Sequence, residues 1–341
     1  MGSSRRLLID VHGLTKGRRT GTISGFVAII LWSTTVALAR STSEQLGAMP
    51  AAAAVYSVSG SIALLRLASS NQRRQQLRRI PFRHLIGCGM PFLSYMIALF
   101  LAIGLATNRQ QVLEIGLLNY LWPTLTILLS LLILKRRASL LLIPGTILAL
   151  AGIFLVLMQG AHVSSQSILE NLVSNPAAYA LGLLAAASWG LYSNLTRRWA
   201  GDTGQGMVDL FLPITAIALI VIALLTESGH AWRLRSLLEV GFLGTVTYVA
   251  YWSWEASMRR GNFTLVTAAS YMTPFFSTVV ASLYLHVAPT ANLWIGCGVL
   301  VVGSLISWAS IGAVRDDSGT NDERRAPSRQ GAESKEHSES Q

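Results

Sequence analysis

Charge is what this chain has least of: Asp, Glu, Lys and Arg make up 13% of its 341 residues, against about a quarter in ordinary soluble domains. Cysteine is nearly absent. Cys88 and Cys297 both fall inside apolar stretches, with no C-x-x-C, so neither a disulfide framework nor a structural metal is expected. The histidines (His12, His84, His162, His230, His286 and His337) share no close spacing with one another or with an acidic pair. An acid–base or metal constellation needs such clustering. No catalytic residue, metal or cofactor is therefore expected, and an intramembrane transferase is the weaker alternative.

What the chain has in abundance is apolar sequence, at 52%, and it comes in blocks. Each block is about 20 residues, the length that carries an α-helix across some 30 Å of hydrocarbon. Ten such spans are expected, near residues 22–40, 47–68, 84–106, 111–134, 139–159, 177–199, 207–227, 237–258, 264–285 and 292–312. Residues 1–21 form a basic leader, and 313–341 are polar and aperiodic, as disordered tails are. Ala37-Leu38-Ala39 behind the first apolar run is the pattern of a cleavable signal peptide, and the repeat described next argues against cleavage.

The net charge of +11 invites a nucleic-acid reading. The basic residues, however, sit in short loops between apolar blocks, which is the positive-inside pattern of a membrane protein. With both termini in the cytoplasm, 23 of the 27 Lys and Arg fall inside, leaving Arg40, Arg109, Arg233 and Arg235 outside. The expected location is a bacterial inner membrane, crossed many times, with lipid and a small molecule as partners and no nucleic acid. The sequence does not state an oligomer.

The second half echoes the first. Tyr120-x-x-Pro123 recurs as Tyr271-x-x-Pro274, and Gly145 and Gly152 recur as Gly296 and Gly303, all at an offset of 151. Trp32 and Arg40 recur as Trp189 and Arg197 at 157. Five spans per half is an odd number, so the second half enters from the opposite side. The expected fold is an all-α membrane protein of ten transmembrane helices in two inverted five-helix repeats, an arrangement used for alternating access. The repeats span 22–159 and 177–312, joined by a periplasmic connector at 160–176.

A site follows from the breaks. Pro123 and Pro274 lie near mid-depth, where each removes an N–H and frees the carbonyl four residues back, on Asn119 and Ser270. Freed carbonyls are tolerated where they line a wet cavity. Tyr95, Tyr120, Trp122, Trp189, Tyr192, Tyr248, Trp252 and Tyr271 are aromatics deep in the spans, away from the interfacial belt, and join Asn119 and the two prolines as candidate substrate contacts. No Lys or Arg lies deep, which disfavours phosphate cargo. Glu114 is the one candidate for proton coupling, and Glu255 is expected to form a surface pair with Arg259 at helical spacing. The Gly pairs, seven residues apart, predict close helix packing within or between chains.

These features resemble the drug/metabolite transporter superfamily of EamA type, and within it the YddG aromatic amino acid exporters. The residues that carry the likeness are Leu31-Trp32-Ser33-Thr34, Tyr56-Ser57-x-Ser59-Gly60, Glu114-x-Gly116-x-x-Asn119-Tyr120-Leu121-Trp122-Pro123, Gly261-Asn262 and Ser270-Tyr271-x-Thr273-Pro274. The resemblance covers about residues 22–312. It implies export of aromatic and other neutral amino acids, with viologen-type cations or other metabolites as the alternative cargo. It makes Tyr95, Tyr120, Trp122, Pro123 and Trp189 cavity residues. The chain departs from relatives at Tyr95-Met96, where an acidic residue is expected after the tyrosine.

Overall fold

A computed structural model describes residues 2–157, 165–200, 206–226, 232–284 and 291–322, and among them every regular element is helical. The first half holds α1 (Gly2–Leu46), α2 (Ala48–Ala68), α3 (Asn71–Arg78), α4 (Phe82–Leu105), α5 (Arg109–Asn119), α6 (Trp122–Ile133) and α7 (Leu142–Leu157). After α8 (Ser165–Ser174) come α9 (Pro176–Arg198), α10 (Val208–Thr226), α11 (Leu234–Arg260) and α12 (Phe263–Ala269). A 3-10 turn (Ser270–Met272), α13 (Thr273–Tyr284) and α14 (Ala291–Asp322) complete the chain.

Each expected apolar segment lies on one helix or on a pair split by a break. Among the described residues, five helical stretches are long and apolar enough to cross a membrane: Ala48–Ala68, Phe82–Leu105, Gln110–Ile133, Val208–Thr226 and Trp294–Ile311. Helix also extends beyond the expected spans. α1 begins at Gly2, inside the leader, and α14 runs to Asp322, inside the expected tail. No proline stands in either stretch to stop the backbone ladder. The connector likewise contains α8. Residues 158–164, which hold the end of the fifth expected span and the start of that connector, and 323–341 of the tail lie outside the described residues.

The packing has a pattern of exchange. α7 packs on α14 and α2 on α10; α1 packs on α11 as α4 packs on α9; α6 lies along α9 as α13 lies along α1. Swapping each helix for its counterpart in the other half leaves this set unchanged.

Register gives the direction of each pair. Gly21 meets Gly261, Gly25 meets Ser257, Trp32 meets Tyr251 and Ser41 meets Glu239, so α1 and α11 run antiparallel. His84 with Trp199, Cys88 with Thr196, Phe92 with Tyr192 and Tyr95 with Trp189 make α4 and α9 antiparallel too. Thr22 with Asn262, Gly25 with Val266 and Ser33 with Thr273 set α1 parallel to α12 and α13. The matching set, Ile115 with Gly182, Trp122 with Trp189 and Thr126 with Asn194, sets α5 and α6 parallel to α9.

α7 and α14 meet through glycine. Gly145 faces Ser307, Gly152 faces Leu300 and Gly303 faces Ala149, an antiparallel crossing. A Cβ on Gly152 would stand 2.5 Å from the Leu300 nitrogen, and one on Gly303 only 2.2 Å from that of Ala149. Backbone cannot yield as a side-chain tip can, so these glycines are required by close approach. The expected close packing is within the chain.

The two ends of the bundle differ in charge. One end gathers the basic residues: Arg197 donates to the carbonyls of Met258, Arg259 and Gly261 at 3.0–3.3 Å, Arg259 to that of Ala200 at 2.9 Å, and Arg136 to Thr264. The other end holds Glu239, bonded to Arg235, Ser41 and Gln45, and Glu114, bonded to Tyr179, Asn171 and Gln110.

Glu255 corrects an expectation. It is not at the surface with Arg259: its residue is fully buried, and its carboxylate accepts the N–H groups of Gly206, Met207 and Val208 at 3.0–3.2 Å. The first N–H groups of a helix lack intrahelical acceptors, and α10 finds its acceptor on α11.

Candidate functional site

Four tryptophans meet in the middle of the bundle, one each from α1, α6, α9 and α11. Trp32 has its ring 5.6 Å from Trp189, 5.2 Å from Trp254 and 6.4 Å from Trp122. Trp122 stands edge-on to Trp254 at 5.3 Å and to Trp189 at 6.3 Å. Tyr95 lies 4.8 Å from Trp189, and Tyr251 lies 5.6 Å from both Trp32 and Trp189. Edge-to-face pairs of this kind contribute about 0.5–1.5 kcal/mol each beyond burial, so the rings hold one another at fixed angles. Trp32 and Trp189 are the pair duplicated at an offset of 157.

Beside this cluster lies a cavity of about 230 Å³, lined by Trp32, Thr35, Tyr95, Leu99, Asn119, Tyr120, Trp122, Trp189, Tyr251 and Thr273. A second, of about 160 Å³, shares Trp32, Thr35 and Tyr251 with it and continues along Ala39, Thr42 and Ser43 toward the end that holds Leu46. Among the described residues, no charged side chain lines either one.

Both helix breaks reach the larger cavity. α5 stops at Asn119 and α6 starts at Trp122, with Pro123 in its first turn; α12 stops at Ala269 and α13 starts at Thr273, with Pro274 in its first turn. Proline has no N–H to lose in that position. The Ser270 carbonyl, expected to be free, is taken up locally: the Thr273 hydroxyl donates to it at 2.8 Å and the Thr273 N–H also reaches it. Two other polar atoms of the cavity wall have no partner among the described residues, the Trp32 Nε1–H donor and the Asn119 Oδ1 acceptor. A buried polar group without a partner costs about 1–3 kcal/mol, which a polar ligand would recover.

Of the expected site residues, Tyr95, Asn119, Tyr120, Trp122 and Trp189 are brought together on one wall. Pro123 and Pro274 are not among the lining residues; each stands in the first turn of the helix after its break. Tyr192 backs Trp189, ring to ring at 5.1 Å, and Tyr271 bonds the Thr124 hydroxyl at 2.7 Å between α6 and the 3-10 turn. Tyr248 and Trp252 lie elsewhere: Tyr248 donates to Asp209 at 2.6 Å and accepts from Arg66, whose guanidinium also sits 5.3 Å over the Trp252 ring.

Tyr251, Thr35, Leu99 and Thr273 were not among the expected contacts, nor was Trp32, although its duplication marked it. Tyr248 and Tyr251, three residues apart, share a helix face about one turn apart in depth, so sequence spacing alone does not say which of them reaches the cavity.

With the geometry in place, known proteins can be set beside it. The model of the EamA-like transporter family matches residues 19–158 and 176–309. A protein of Salmonella typhimurium named aromatic amino acid exporter YddG is 34% identical over 84% of this chain and 96% of its own length. Its namesake in Escherichia coli is 32% identical over 85% and 97%. A solved crystal structure at 26% identity covers 87% of the chain and 99% of its own, with a TM-score of 0.72. The chain belongs to the EamA-like transporter family: it is a multi-pass membrane transporter and not an enzyme.

Proposed function

We propose that this transporter exports aromatic and other neutral amino acids across a bacterial inner membrane by alternating access. The observation that carries the reading is the cavity lined by Trp32, Tyr95, Tyr120, Trp122 and Trp189, with no charged side chain among its described lining residues. Rings suit an aromatic side chain, and a ring face attracts the ammonium group by about 0.5–2 kcal/mol. The names of the two bacterial relatives favour the same cargo. Cationic drugs are the weaker reading, because no carboxylate lines the cavity among the described residues.

Two inverted five-helix halves, 22–159 and 177–312, supply the motion. The exchange pattern of helix neighbours, the antiparallel registers of α1 with α11, α4 with α9 and α7 with α14, and the two stretches matched by one family model support this. Both termini lie in the cytoplasm, on the side of the basic end. The connector at 160–176 is then periplasmic, and the cavities lead outward.

The test is transport in liposomes. Purified protein is expected to move labelled phenylalanine, and Trp122→Ala to slow it. A well-folded sample that moves no neutral amino acid removes the substrate proposal. Reporter fusions at residues 1 and 341 that report opposite sides remove the inverted topology.

A further inference from the structure

We infer that Glu255 locks the basic end of the bundle shut, and that the route through that end runs along α4, α9 and α10. The inference rests on the inverted-repeat reading above. Exchanging the halves at an offset of 157 carries Thr35, Ala39 and Thr42, which line the smaller cavity, onto Tyr192, Thr196 and Trp199. At the basic end, among the described residues, those three are packed against other side chains. Tyr192 packs on Phe92 at 5.2 Å and Phe211 at 6.5 Å, Thr196 touches the Cys88 sulfur at 3.8 Å, and Trp199 stacks on His84 at 4.5 Å. The mate of the open vestibule is a plug.

The lock explains why this end is the closed one. Glu255 stands on α11 against the start of α10, with Oε1 accepting from Gly206 and Met207 and Oε2 from Val208. The matching helix start at the outer end is that of α2, and Gly104 of α4 stands against it: a Cβ there would meet the Met49 methyl at 2.8 Å. The two helix starts differ in chemistry. At the outer end α2 begins at Gly47, with no side-chain cap, and glycine faces it. At the basic end a carboxylate clasps three N–H groups at the positive end of a helix, where charge-assisted bonds are strong. Glu255 touches no cargo in this arrangement. It is a positioning residue that acts through α10.

Cys88, fully buried in the plug, is a native reporter. With Cys297→Ser, Cys88 is the sole thiol, and its labelling by a bulky maleimide reads opening of the basic end. Glu255→Gln keeps one acceptor but turns an NH2 group toward the backbone donors. It is expected to speed Cys88 labelling about tenfold, the change that loss of one charge-assisted hydrogen bond produces. Ser307→Cys, placed in a chain lacking both native cysteines, reports general loosening, since Ser307 is buried where α7 meets α14. It should stay unlabelled with and without Glu255→Gln. Cys88 labelling that does not change, or a parallel rise at Ser307→Cys, overturns the lock. Phenylalanine transport by the parent protein is scored separately, so failure of the substrate reading leaves the labelling comparison intact.

Discussion

The two helix breaks occupy matching places in their halves, yet they are used differently. The break between α5 and α6 turns Asn119, Tyr120 and Trp122 to the cavity; the break between α12 and α13 turns only Thr273 to it. At the first, an Asn119 acceptor is left without a partner. At the second, the Ser270 carbonyl is capped by Thr273, and Tyr271 is spent on a bond to Thr124. On the proposed reading, the same backbone device serves twice and the side chains divide the work, one break for recognition and one for holding the bundle together.

Substitutions at paired positions sharpen or break this contrast. Trp122→Ala should have the largest effect, slowing phenylalanine transport about tenfold or more, because it removes a ring packed on three others. Its mate Thr273→Ala should leave transport within about twofold while costing about 1 kcal/mol of stability in a detergent melt, the worth of one hydrogen bond. Equal transport losses at the two sites would end the distinction. Asn119→Ala is expected to reduce transport about fivefold, on the scale of one buried polar contact, whereas Ser270→Ala should not change it. The smallest effect belongs to Tyr271→Phe, a stability loss of about 1 kcal/mol with transport untouched. A transport defect in that variant would move Tyr271 into the cargo path.

Much of the fold was legible along the chain because its causes are local. Apolar runs of membrane length, the bias of Lys and Arg and the recurrence of Tyr-x-x-Pro are all properties of short segments. The breaks at Pro123 and Pro274 were legible for the same reason: proline acts on its own turn. The glycines of α7 and α14 announced close packing, though not the partner.

The site was legible in part. Trp122 and Trp189 were identified, and Trp32 was visible through its duplication. Tyr251 was missed for Tyr248, since helical phase near a cavity is set by neighbouring helices. Glu255 was misread because Glu255 and Arg259 at i and i+4 look like a surface pair wherever they occur.

Length, polarity and repeated motifs are written into neighbouring residues, and they were enough for helices, their breaks and the membrane setting. Which ring faces which, and where a buried carboxylate finds its donors, depend on residues far apart in the chain, such as Trp32 with Trp189 and Glu255 with Gly206, which meet only after folding. Helix formation is satisfied within a segment, whereas packing and the pairing of buried polar groups are satisfied only between segments.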